Sequence, residues 1–248
     1  MNRIIFPFII TFFSGISTVL GMIPCFFNKK YSDFIISFSL SFAAGVMISI
    51  SILSLIPESF SLLNSIFYFI PTLLIIFILI VLGIIFSSTI DSVIEKKFTN
   101  NIYRIGIISV IVLILHNIPE GVTTFISTSY DLSLGIKLSI AILLHNIPEG
   151  ISIAVPIYYS TGNLFKAFLY TILSGFSEIF GAFIAYLFIT KYINNFIISI
   201  ILAITAGIMM HISIYELIPN SLEYKKNKTF FIGLILGVFI MILCEVFS

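Results

Sequence analysis

Eight blocks of roughly twenty predominantly apolar residues run almost end to end through the 248-residue chain. A helix of about 20 residues crosses a hydrocarbon layer of ~30 Å. In lipid, only helices and closed barrels satisfy all their own backbone polar groups. The blocks lie at roughly 4–27, 34–56, 66–87, 102–128, 135–160, 165–189, 194–218 and 229–247. Between them sit charges and turn formers: Asn28-Lys29-Lys30, Pro57-Glu58, Asp91 to Asn101, Tyr130-Asp131, Thr161-Gly162-Asn163, Lys191, and Glu223 to Lys228. The sequence thus predicts an all-α integral membrane protein with eight transmembrane helices, one domain over 1–248, multi-pass in the cell (plasma or inner) membrane. The apolar N-terminal run reads as a first span, not as a removable signal peptide.

What the blocks leave over is small. Only 9% of the residues are charged, against about 25% in soluble domains, which excludes a soluble enzyme and leaves no room for a catalytic domain in the connections. The net charge of +1 gives no electrostatic footprint for nucleic acid. Cys25 and Cys244 sit in apolar stretches and make neither a disulfide framework nor a thiolate metal site.

Loop charge sets an orientation. The first, third, fifth and seventh connections hold Lys29, Lys30, Lys96, Lys97, Arg104, Lys166, Lys225, Lys226 and Lys228, nine of the twelve Lys and Arg. By the positive-inside rule these ends face the cytoplasm, so both termini are expected outside.

The chain also repeats itself. Residues 44–59 (AGVMISISILSLIPES) and 206–221 (AGIMMHISIYELIPNS) agree at ten of sixteen positions, 162 residues apart, and SGISTVLG at 14–21 echoes SGFSEIFG at 174–181. The first two spans thus match the sixth and seventh. Five helices separate them, an odd number, so matching helices run in opposite directions. The expectation is an inverted repeat of helices 1–3 and 6–8 around helices 4–5, a pattern of secondary transporters whose substrate site lies near the midplane.

Two spans carry chemistry that apolar helices avoid. The heptapeptide LHNIPEG occurs at 115–121 and again at 144–150, inside the fourth and fifth spans. A central charge costs about 2.5–3.5 kcal/mol on insertion scales. On an α-helix, residues i and i+4 share a face, so His116 and Glu120 point together, as do His145 and Glu149, with Asn117 and Asn146 alongside. Consecutive spans are antiparallel, and packing these faces together surrounds one volume with imidazole, amide and carboxylate groups. Pro119 and Pro148 leave the Leu115 and Leu144 carbonyls without their helical donors, and Gly121 and Gly150 allow close helix approach. Glu178, among small residues in the sixth span, adds a third carboxylate where the repeat has Thr18. A donor set of nitrogen and oxygen without sulfur suits Zn²⁺, Fe²⁺, Co²⁺, Ni²⁺ or Mn²⁺. Protons or a metal are needed to neutralise the three carboxylates.

These residues resemble the ZIP (Zrt-, Irt-like) family of divalent metal transporters, close to its ZupT/GufA-type branch. The resemblance covers the whole chain and rests above all on the two HNIPEG copies, with support from SGFSEIFGA and from AGIMMHISIYELIP. It implies import of Zn²⁺, with Fe²⁺, Mn²⁺, Co²⁺ and Cd²⁺ as further candidates, by alternating access. It also implies a two-metal centre: His116, Glu120, His145 and Glu149 around one ion, and Asn117, Asn146 and Glu178 around the second, with Glu120 and Glu149 bridging. The first, fourth, fifth and sixth spans are implied to move against the other four. One departure stands out: the loop from Ser87 to Asn101 holds no His.

His211, Glu58 and Glu216 are candidate accessory residues. His211 replaces Ser49 of the repeat, and the two glutamates lie near the ends of the second and seventh spans. Ser14, Ser17 and Thr18 read as packing residues. The metal is expected as transported substrate, with no organic cofactor. The expected partners are divalent metal ions and the lipid bilayer, with a homodimer allowed. The alternative reading is a membrane-embedded metalloenzyme, which the order HNxPE does not favour: intramembrane zinc proteases use HExxH.

Overall fold

A computed structural model describes residues 2–26, 32–95 and 102–247, all helical apart from short turns and without a strand among them. The elements are α1 Asn2–Ile16, continued as a 3₁₀ helix Ser17–Phe26; α2 Ser32–Ile50, a π-turn Ser51–Leu55 and α3 Ile56–Asn64; α4 Phe69–Glu95; α5 Ile102–Tyr130; α6 Leu132–Thr161; α7 Leu164–Ile184, a π-turn Ala185–Ile189 and a 3₁₀ turn Thr190–Tyr192; α8 Asn195–Ile212, a π-turn Ser213–Leu217 and α9 Ile218–Glu223; and α10 Asn227–Phe247. Among the described residues, six helical stretches are long and apolar enough to cross a membrane: Ile4–Phe26, Asp33–Asn64, Phe69–Thr89, Leu132–Thr161, Leu164–Tyr192 and Asn195–Glu223. A shorter apolar helix covers Asn227–Leu243.

Three boundaries depart from the sequence reading. The helix expected to end at 56 runs on through Pro57 to Asn64, and the one expected to end at 218 runs through Pro219 to Glu223. A proline inside a helix clashes with the carbonyl four residues back. Here each proline follows a π-turn, in which the Ile56 and Ile218 N–H groups reach back five residues to the Ser51 and Ser213 carbonyls. The wider turn makes room for the ring. The third departure is α4, which continues to Glu95 where a loop from Ser87 is expected. The lysines at 29, 30, 96 and 97 and the side chain of Arg104 lie outside the described residues.

The tight connections follow local chemistry. Asp131 alone separates α5 from α6, its carboxylate accepting from the Leu134 N–H at 2.8 Å. Gly162 ends α6 with φ 66°, a left-handed position that suits glycine, and Asn163 caps α7 through the Lys166 N–H. Asn194 caps α8 in the same way. Short turns of this kind force neighbouring helices antiparallel.

In lipid no hydrophobic drive brings helices together, so small residues and polar bonds must. Gly45 on α2 lies against the Leu234 carbonyl of α10, and Gly207 on α8 against the Ile80 carbonyl of α4. The centre holds α1, α5, α6 and α7, joined by Gly15 and Gly175, Gly121 and Gly150, and by the rings of Phe8, Phe125 and Tyr186. Large apolar side chains cover the outside, among them Phe13, Phe77, Phe188 and Ile235, each more than 60% exposed. Such a surface suits hydrocarbon rather than water.

Candidate metal centre

The HNIPEG copies face each other at the centre of this group. α5 and α6 run unbroken through Pro119 and Pro148. Asn117, Glu120, His145, Asn146, Glu149 and Glu178 are all buried, none more than 1% exposed. The His145 Nε2 lies 3.2 Å from a carboxylate oxygen of Glu120, and all three carboxylates, Glu120, Glu149 and Glu178, act electrostatically on that imidazole. The structure therefore brings together six of the seven principal residues; the side chain of His116 lies outside the described residues.

The two asparagines are anchored in matching ways. Asn146 donates to the Ser14 carbonyl of α1 at 3.0 Å, and Asn117 donates to the Ser174 carbonyl of α7 at 3.3 Å and to the Ser174 hydroxyl at 3.4 Å. Ser14 and Ser174 are equivalent in the shorter repeat. A main-chain carbonyl only accepts, so each amide must present its NH₂ there and turn its oxygen the other way. Ser14 and Ser174 had no signal as site residues because the group that serves is the backbone. The echo of SGIS in SGFS was the available clue.

The echoing segments differ in chemistry where Thr18 stands against Glu178. The backbone of Thr18 packs on Gly150, and the backbone of Glu178 packs on Gly121, so the two residues hold equivalent places. The Thr18 hydroxyl bonds its own helix at Gly15, whereas the Glu178 carboxylate accepts from Asn146. Among the described residues, four polar atoms here have no hydrogen-bond partner: His145 Nδ1, Asn117 Oδ1, Asn146 Oδ1 and Glu178 Oε2. Buried polar atoms are otherwise nearly always paired. No three His, Cys, Asp or Glu side chains among the described residues form a ready ion cage.

The accessory candidates lie apart. The His211 Nδ1 is 3.1 Å from the Ser87 hydroxyl of α4, and the ring stacks on Tyr215. Glu216 sits half-buried in the π-turn of Ser213–Leu217. Glu58 lines an open cavity of about 310 Å³ with Tyr130, Asp131, Ser133, Leu134 and Lys137.

The family description "ZIP Zinc transporter" matches residues 95–245. The chain is a membrane protein of the ZIP zinc transporter family. It is 36% identical over 261 residues to the zinc transporter ZupT of Oceanobacillus iheyensis, covering 97% of each chain. It is 37% identical over 248 residues to the zinc transporter ZupT of Streptococcus mutans, covering 94% of each, and 36% identical over 279 residues to that of Campylobacter jejuni, covering 98% of this chain and 96% of the relative. Members of the family are transporters rather than enzymes, which sets the metalloenzyme alternative aside.

Proposed function

We propose that this chain imports divalent transition-metal ions, Zn²⁺ foremost and Fe²⁺, Mn²⁺, Co²⁺ and Cd²⁺ as further substrates, across the plasma or inner membrane. The observation that carries this reading is the set of buried nitrogen and oxygen atoms without partners on α5, α6 and α7. An imidazole nitrogen, two amide oxygens and a carboxylate oxygen beside two further carboxylates suit a borderline cation. Relatives named as zinc transporters, alike over nearly the whole chain, point the same way.

The centre takes two ions. His116, Glu120, His145 and Glu149 hold one. Asn117, Asn146 and Glu178 hold the other, bridged by Glu120 and Glu149. The site replaces the water that a hydrated ion must give up, so dehydration is offset locally.

The chain crosses the bilayer eight times with both termini outside. α5, of 29 residues, and α10, of 21, have the length to add to the six apolar stretches. The inverted repeat is supported by paired details: π-turns before Pro57 and Pro219, Thr18 on Gly150 against Glu178 on Gly121, and α2 on α10 against α8 on α4. Alternating access then follows as a movement of α1, α5, α6 and α7 against the remaining helices.

The test is uptake of radioactive Zn²⁺ by proteoliposomes, wild type beside Glu149→Ala, with Fe²⁺, Mn²⁺, Co²⁺ and Cd²⁺ as competitors. Saturable uptake lost in the variant is the expected result. No uptake by folded wild type under any gradient would overturn the reading.

A further inference from the structure

The glycine contacts divide the helices into bodies. Among the described residues, each close glycine approach to another helix's backbone falls within α1, α5, α6 and α7 with the 3₁₀ segment, or within the pair α2 and α10, or within the pair α4 and α8. None crosses from the first group to the others. The boundary between them carries no such glycine–backbone interlock among the described residues.

Three polar contacts bridge that boundary, two near the α5–α6 turn and one deeper, beside the HNIPEG residues. The Lys137 ammonium of α6 meets the Glu245 carboxylate of α10 at 2.7 Å, and the Ser54 hydroxyl donates to the other oxygen of the same carboxylate at 2.7 Å. The Tyr130 hydroxyl of α5 donates to the Asn195 side-chain oxygen of α8 at 3.0 Å. The Thr123 and Thr205 hydroxyls, on α5 and α8, lie 2.8 Å apart and buried. Thr123 is one turn beyond Glu120, and Tyr130 is two turns further along α5. The open cavity sits at the Tyr130 end. Its lining includes Tyr130 and Lys137 and holds none of the described HNIPEG side chains.

We propose that these three contacts form a clasp that shuts the outer end of the central group over the metal site, and that their release opens the cavity through to the site. This rests on the transport reading above, and on the outward orientation of the α5–α6 turn. The ion pair serves the clasp in a second way. Glu245 neutralises Lys137, whose charge would otherwise repel a cation entering beside Glu58 and Asp131.

Ser127 reports on the clasp, because it is buried on α5 between Thr123 and Tyr130. With Cys25 and Cys244 replaced by Ala, Ser127→Cys is exposed to a membrane-impermeant thiol reagent outside right-side-out vesicles. Adding Lys137→Glu or the near-isosteric Thr123→Val is expected to speed labelling at least about fivefold, the scale of one lost polar contact in a two-state equilibrium. Adding Glu245→Lys to Lys137→Glu is expected to return the rate to within about twofold of the background, since the swap restores the pair. Labelling unchanged by both single additions would overturn the clasp. Zinc uptake by the background vesicles separates the two ideas: faster labelling without any uptake leaves the clasp standing and overturns the transport reading, and uptake without faster labelling overturns the clasp alone.

Discussion

Gly15 and Gly175 meet backbone to backbone where α1 crosses α7, and a Cβ added to either would strike the carbonyl oxygen of the other. The two positions match in the echo of SGIS at 14–17 in SGFS at 174–177, so the contact pairs with itself. A backbone carbonyl cannot step aside as a flexible side chain does. Gly15→Ala and Gly175→Ala should each destabilise the protein by about 1–3 kcal/mol. The double variant should cost less than the sum, because one separation of the helices accommodates both methyls. Thermal unfolding in detergent measures this, and additive effects would mean that the contact is not shared.

Glu149→Gln and His145→Ala should lower zinc uptake at least about tenfold while the protein stays folded, the scale seen when groups supporting a metal are lost. Glu149→Gln should also leave the metal-free protein as stable or more stable, since it removes one of three carboxylates acting on one pocket. It should abolish the stabilisation that added zinc gives the wild type. Melting with and without zinc checks both halves; an unstable metal-free variant would argue that the carboxylate serves packing.

Binding should weaken as the pH falls. An imidazole must be neutral and a carboxylate ionised to bind a metal, so each ion bound displaces protons. Titration calorimetry in two buffers of different ionisation heat counts the protons released. A heat independent of buffer, with affinity independent of pH, would contradict a site built from these groups.

Glu178→Thr copies Thr18 into the other half. It should cut bound zinc from two ions to one, leaving the ion held by the histidines. Metal content of the purified protein, read beside the wild type, gives the count. An unchanged two-ion content would remove Glu178 from the centre.

Much of this architecture can be read before any coordinates exist. Blocks of apolar residues mark the helices because hydrocarbon imposes both length and polarity. The HNIPEG copies mark the buried polar cluster because polar groups in such blocks need a reason. Less legible were the ends of α3 and α9. Pro57 and Pro219 look like stops, and only the π-turns before them let the helix continue. The match of α4 with α10 was expected from the order of the spans alone, with no aligned residues to carry it. Gly83 and Gly237 hold corresponding places against Gly207 and Gly45, but the surrounding Ile, Leu and Val are too generic to align. The asparagine anchors were out of reach for another reason: side-chain identity says nothing of a backbone acceptor.

Those anchors couple helix spacing to amide orientation. Asn146 is oriented by the main chain of α1, and Asn117 by the main chain of α7. No substitution of a neighbouring side chain removes a main-chain oxygen; only a change in helix spacing does. Each amide therefore works as a gauge of the gap it spans. Glycines fix those gaps within the central group, Gly21 against Gly150 and Gly121 against the backbone of Glu178, so both amides keep one orientation for as long as the four helices stay interlocked.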